Sequence, residues 1–323
     1  MMTPKKRRAF TLVELVVSLA ITSVIAFFVF SFAASLADLW RNTEGGVDTE
    51  LDAQIALDRI VMDLEAAIFQ ERQDPLGNAV PMFALSAIAK GDDDPYQVSF
   101  SNRWQDIDES ARPAEWHFDP GQHRYGWAGS WLRFFTAAPS FNAVGYQVIR
   151  RPAFGDSSVD RYLLHRSLIR QDNTIAGGFD IVNGNYQDGT TANAIASPRL
   201  DSAILEDVVD FGLRLYVFDE SMSGTDDSPR GLRLVFPADA NGNLDINDKE
   251  HLGSTLTGNN FGSRYPEVAE VFLRVLDDVG ADLLIRLEAG ETVSDYNEIV
   301  EKHSRLYQRM VRLPGREPKG YTP

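Results

Sequence analysis

Residues 15–37 form a run of 23 positions without a charge or a proline, and no other feature restricts the fold of this chain so strongly. At about 1.5 Å of rise per residue, a helix over this run reaches roughly 35 Å, enough for a hydrocarbon core of about 30 Å. Lys5, Lys6, Arg7 and Arg8 stand just before it. Basic flanks stay on the cytoplasmic side, which sends everything after Trp40 to the far side. An ordinary single-pass anchor fits this pattern. A cleaved secretory signal ending at Ser35-Leu36-Ala37 fits less well, because the run exceeds the roughly 7–15 residues of a signal h-region.

Glu14 breaks the pattern at its start. A lone acid at the centre of a membrane helix costs on the order of 2.5–3.5 kcal/mol, less near an end, and such a residue is usually kept for a partner. In the stretch RRAFTLVELVV, Glu14 stands four residues after Phe10, behind the short basic leader. The leader, Phe10, Thr11, Leu12, Glu14 and the apolar helix that follows resemble the class III signal of type IV prepilins and of the pseudopilins of type II secretion. The resemblance implies that a membrane-embedded aspartyl prepilin peptidase cuts between Ala9 and Phe10 and N-methylates Phe10. It also implies that Glu14 pairs with the Phe10 amine of a neighbouring subunit. In a low-dielectric bundle of helices such a pair offsets desolvation and sets the axial register of one helix against the next. Ala9 stands where the family usually has glycine; alanine is small enough for a tight cleavage site, and slower processing is expected. The helix also lacks the proline that many major pilins carry.

The 323 residues suffice for a domain with a real hydrophobic core. Acids outnumber bases 47 to 31, a formal charge of −16 that becomes −20 once the four positive charges of residues 1–9 leave. Such a surface repels phosphate backbones, so no nucleic-acid partner is expected. The absence of cysteine excludes disulfides, thiolate metal sites and cysteine nucleophiles, and leaves the compartment open.

Past the apolar run, residues 38–46 are polar and end in Gly45-Gly46. Each glycine costs about 1 kcal/mol relative to alanine inside a helix, so the pair predicts a kink or joint. Helical periodicity then resumes, Leu51 and Ile55 leading into Leu57, Ile60, Val61, Leu64 and Ile68, with Asp52, Asp58, Asp63 and Glu65 on the other face. The spacing predicts an amphipathic helix that packs its stripe on a sheet and ends before Asp74-Pro75-Leu76-Gly77. Strands are predicted over 96–100, 131–136, 145–150, 161–168, 208–218, 231–236 and 268–276, with long loops over 171–198 and 219–230. A helix is expected over 294–310 and disorder in the tail 315–323. This order resembles the larger minor pseudopilins and minor pilins. The strands DVVDFGLRLYVFD and EVAEVFLRVL bring it loosely near the J-type pseudopilin and the W-type minor pilin.

The most specific motif beyond the helix is DANGNLDINDKE, at 239–250. Against the calcium-loop pattern it supplies Asp239, Asn241, Asn243, Asp245 and Glu250 at ligand spacing, but Leu244 occupies the position that calls for glycine. Its two readings are a Ca²⁺ site and a bare acidic turn between strands, and the turn is preferred. His117, Asp119 and His123 lie close in sequence without a strong metal spacing, and read as loop histidines beside packed aromatics. His165 reads as a satisfied strand residue, while His251 and His303 show no evident partners. No nucleophile elbow, P-loop or dinucleotide fingerprint is present, and nothing argues for catalysis.

The expectation is an α+β pilin-like protein: a long N-terminal helix packed on an antiparallel sheet, with a further strand-rich C-terminal region. Residues 1–9 read as leader, 10–40 as transmembrane and assembly helix, 41–74 as its amphipathic continuation, 75–314 as a periplasmic domain and 315–323 as tail. The expected role is non-enzymatic: a minor subunit of a type II secretion-like pseudopilus in the bacterial inner membrane. Its expected partners are the prepilin peptidase, other pseudopilins and membrane lipid. The alternatives are a minor pilin of a surface pilus serving adhesion or DNA uptake, and a membrane-anchored periplasmic binding protein or enzyme.

Overall fold

The computed structural model describes residues 12–87, 130–137, 140–153, 156–187, 193–222, 229–245, 248, 250–256, 260–293 and 296–314. Helix α1 spans Leu12–Glu65. The chain divides into two compact units, Met1–Asp48 and Thr49–Pro323, so α1 begins in the first and ends in the second. Its backbone stays helical through Gly45-Gly46, where the sequence predicts a kink.

The second unit is mixed α/β, with two antiparallel sheets. A six-stranded sheet runs in the order β5-β4-β3-β2-β1-β8, from β1 (Phe83–Ala87), β2 (Ser130–Thr136), β3 (Asn142–Ala153), β4 (Asp156–Ile169), β5 (Ala203–Leu205) and β8 (Glu250–Gly253). A four-stranded sheet runs β10-β9-β6-β7, from β6 (Val208–Phe218), β7 (Leu232–Phe236), β9 (Val268–Leu276) and β10 (Ser304–Arg312). Helices α2 (Gln171–Gly177), α3 (Asp278–Glu288) and α4 (Tyr296–His303) complete it.

The principal core forms where the last turns of α1 meet both sheets. Ala53, Ala56, Leu57, Ile60, Val61 and Leu64 pack with Phe83, Leu132, Phe134, Val144 and Tyr146 of the larger sheet and Phe211, Leu213, Val271 and Leu273 of the smaller. Each large side chain buried there contributes about 1.5–3 kcal/mol. A second cluster lies on the opposite face of the six-stranded sheet, where Ile181, Tyr186, Ala194 and Ile195 cover Met82, Ala84, Trp131, Phe135 and Ala143. With both faces covered, every residue of β2 is buried, and that is why SWLRFFT does not alternate cleanly.

Several expectations are corrected. Leu51 and Ile55 do not join the inward stripe: both are 58 % exposed, and Ala53 and Ala56 take their place. Asp63, assigned to the outer face, is buried. At about 100° per residue it lies beside Ala56 and Ile60, so counting the alanines as core shifts the buried arc over it. The helix ends at Glu65 rather than near residue 74, because the chain then pairs with the end of β2 through Ile68 N to Phe135 O and Ala137 N to Ala66 O. The predicted helix 294–310 stops at His303 and continues as β10, paired with β9 over its whole length. The loop over 171–198 begins with α2. Strands β1, β5, β8 and helix α3 were not anticipated. The predicted strand 96–100 and the tail 315–323 lie outside the described residues.

Candidate functional site

The N-terminal signal is the strongest functional feature of the sequence. Ala9 and Phe10 lie outside the described residues. At Glu14 the backbone belongs to α1, and its side chain is outside those described. From Leu12 to Phe32, twelve large apolar side chains are 50–80 % exposed in this chain, among them Leu19, Ile25, Phe28 and Phe30. So much contiguous apolar surface marks a contact with lipid or with another protein. The Ser23 hydroxyl donates to Leu19 O at 2.8 Å, which satisfies it within its own helix and keeps the surface free of an unpaired donor. Among the described residues, no helix is long and apolar enough to cross a membrane.

At the other end of α1, a polar lock ties helix to sheet. Tyr146 on β3 donates its hydroxyl to Asp63 Oδ2 at 2.5 Å, and Arg166 on β4 reaches the same carboxylate through Nε at 2.6 Å and Nη2 at 3.0 Å. Burial, reinforced by the Asp63 charge, pushes the Tyr146 hydroxyl well above its usual range, so it stays a donor. A buried pair is sound only when its remaining hydrogen-bonding capacity is met. Here Arg166 Nε also reaches the Tyr146 oxygen at 3.2 Å. On the flank of α1, Glu50 pairs with Arg305 at 2.7 Å and Asp58 with Arg309, binding the helix to β10. Sequence reading missed this lock. The available signal was an acid next to the buried arc of an otherwise apolar face.

The residues of the calcium-like motif form a turn. Asp239 Oδ1 accepts the N–H groups of Asn241 and Asn243 at 2.8 and 2.9 Å, and Oδ2 accepts Asn243 Nδ2 at 3.0 Å. Gly242 takes φ +84, a conformation that favours glycine. The same D-x-x-G-N sequence recurs at Asp74-Pro75-Leu76-Gly77-Asn78. There Asp74 Oδ1 accepts the Leu76 and Asn78 N–H groups, Oδ2 accepts Asn78 Nδ2, and Gly77 has φ +88. Glycine thus sits one residue before Asn243, at the turn's own left-handed position, not at Leu244. The Asp245 N–H donates to Pro237 O, and Glu250 lies on β8 with Ser86 Oγ 3.3 Å from its carboxylate. Among the described residues, no group of three or more His, Cys, Asp or Glu side chains could hold a metal ion.

The histidines divide by burial. His165 is fully buried, its Nδ1 3.2 Å from Ser202 Oγ; that hydroxyl donates to Arg199 O, which leaves its oxygen to accept a hydrogen bond from Nδ1–H. Burial, with Arg151 nearby, holds the ring down to about 3, so it is neutral at physiological pH. His251, for which the sequence showed no partner, is buried with Nε2 2.8 Å from Arg264 O. His303 lies 3.3 Å from Asp277. His117, Asp119 and His123 are outside the described residues.

Residues 4–30 match the family described as the prokaryotic N-terminal methylation motif. The match bears out the reading of a prepilin-type signal at the N-terminus, and it is consistent with a type IV pilin-like protein or pseudopilin of the cell envelope. It implies processing by a prepilin peptidase and assembly with other pilins, without distinguishing J-type from W-type relatives. No curated protein and no solved structure matches the chain.

Proposed function

We propose that this chain is a non-enzymatic minor subunit of a type II secretion-like pseudopilus. It is inserted in the inner membrane through a long N-terminal helix, with residues 75–314 on the periplasmic side, then cut before Phe10 and methylated there. Assembly buries the apolar helix among those of neighbouring subunits, and Glu14 pairs with the new amine of one of them. The bulk of the domain suits a place at the filament tip, where no subunit stacks above.

The observation that carries this reading is the methylation motif at 4–30 at the head of a helix whose described large apolar side chains from Leu12 to Phe32 are exposed. The lock at Asp63 supports it as well. A subunit held by its helix must pass load to its domain, and Tyr146 and Arg166 grip that helix from two strands. Mass spectrometry of the N-terminus, with and without a prepilin peptidase, tests the proposal. N-methyl-Phe10 that depends on the peptidase supports it. A new terminus at Asp38 or an uncut leader overturns it.

A further inference from the structure

The two sheets end on four edge strands, and three of them are short. Strands β5, β8 and β7 have 3, 4 and 5 residues. Strand β10 has 9, and it pairs with β9 in one unbroken register. A row of free N–H and C=O groups is a template for another chain, and soluble proteins usually blunt it. Neither a bulge nor a proline interrupts β10. The direction of its free groups follows from the bonds at its two ends. Asp277 N donates to His303 O and Leu313 N to Glu267 O, so the odd-numbered residues exchange hydrogen bonds with β9. The even-numbered residues turn theirs outward. Among the described residues, nothing bonds the N–H or C=O groups of Leu306, Gln308, Met310 and Arg312 on that side.

Alternation gives this edge two faces. Arg305 and Arg309 lie on the side of α1, where they pair with Glu50 and Asp58, and these four side chains are 44–58 % exposed. Exposed pairs of this kind hold little energy, so an incoming carboxylate can take either arginine over. Leu306, Gln308, Met310 and Arg312 lie on the other side. Met310 is 48 % exposed, and Arg312 stands over the Phe218 ring at 5.6 Å with no carboxylate partner among the described residues. The strand thus carries three arginines and no acid, in a chain whose acids outnumber its bases 47 to 31. A second copy paired along this edge would set three more arginines against the first three, and like charges across a strand pair repel. Charge complementarity points to a different partner.

We propose that the open edge of β10 is a strand-addition site for an acidic, extended segment of a partner protein. The segment's main chain bonds the outward groups of Leu306, Gln308, Met310 and Arg312, and its side chains alternate between the two faces. Acids on one face meet Arg305 and Arg309, which stand four residues apart. Apolar residues on the other lie beside Leu306 and Met310, at the same spacing. The main-chain bonds supply affinity, and the alternate side chains select the partner. The site belongs to the folded domain and does not depend on cleavage before Phe10.

Residue-resolved hydrogen exchange on the full chain in detergent reads the site. The probe is a nonapeptide of alternating glutamate and valine, and its lysine–valine counterpart is the control. At about ten times its Kd the acidic peptide should slow exchange at the amides of Leu306, Gln308, Met310 and Arg312 about tenfold, with no change at the odd-numbered amides between them. Gln308→Pro removes one outward N–H and leaves the ladder to β9 in place, so the β9 amides should stay protected while the effect of the peptide is lost. The wild-type protein decides without the variant. No slowing at these four amides in millimolar acidic peptide, or equal slowing by the lysine–valine peptide, overturns the proposal.

Discussion

The Tyr146 hydroxyl lies 2.5 Å from the Asp63 carboxylate, joining a helix residue to a strand residue 83 positions away in the chain. Arg166 completes the contact from the next strand. Removing the acid leaves a guanidinium whose side chain is 12 % exposed without its counter-charge. Breaking one side of such a pair costs about 3–5 kcal/mol. Asp63→Ala should lower stability by that amount in urea unfolding, and Tyr146→Phe by about 1.5 kcal/mol, since one hydrogen bond to a charged group is lost. Equal small losses in both variants would refute the lock.

The two apolar faces of α1 should respond differently. Ile60 is fully buried and Ile55 is 58 % exposed. Ile60→Ala should cost about 2–5 kcal/mol through lost burial and the cavity it leaves. Ile55→Ser, at an exposed site, should stay within about 0.5 kcal/mol. A large loss at Ile55 with a small one at Ile60 would mean that the helix is turned the other way.

Glu14→Val should leave cleavage before Phe10 largely intact and strongly reduce the amount of subunit recovered in sheared filaments. Helix insertion becomes easier when the acid is removed, so a loss would trace to assembly and not to targeting. Filaments formed at normal levels would dismiss the pairing assigned to Glu14.

At the 239–243 turn, the Asn243 side chain and then its backbone N–H hold the Asp239 carboxyl below its ordinary value of 3.8. Its stabilising contribution is therefore present above pH 3.8 and is lost as pH falls below it. Asp239→Ala should lower the melting temperature slightly at neutral pH, by the same amount with and without millimolar Ca²⁺. A calcium-dependent rise in melting temperature that the substitution abolishes would restore the ligand reading of this motif.

Much of the fold was legible because the signals were local. Strands β6 and β9 match their predicted limits, since Val208–Phe218 and Val268–Leu276 are apolar, β-branched and bounded by turn residues. The segment after His303 was not legible. SRLYQRMVR carries no decisive period, and it is a strand because β9 offers it a full ladder from Ser304↔Leu276 to Arg312↔Val268. Helix α3 was missed although Asp277 is a good cap, because its fit depends on Gly280, where a Cβ would come within 2.5 Å of His303.

The sequence by itself determined the N-terminal signal: the methylation motif at residues 4–30 is a matter of linear order and needs no folded domain. It also carried the turn at Asp239, whose hydrogen bonds span only four residues. The tertiary structure alone decided which face of α1 is buried, why Asp63 points inward and how α3 is seated. Those outcomes depend on partners such as Arg166, Tyr146 and Arg161, dozens to more than a hundred positions distant in the chain. Desolvation and pairing energies arise only once the fold has brought such groups together.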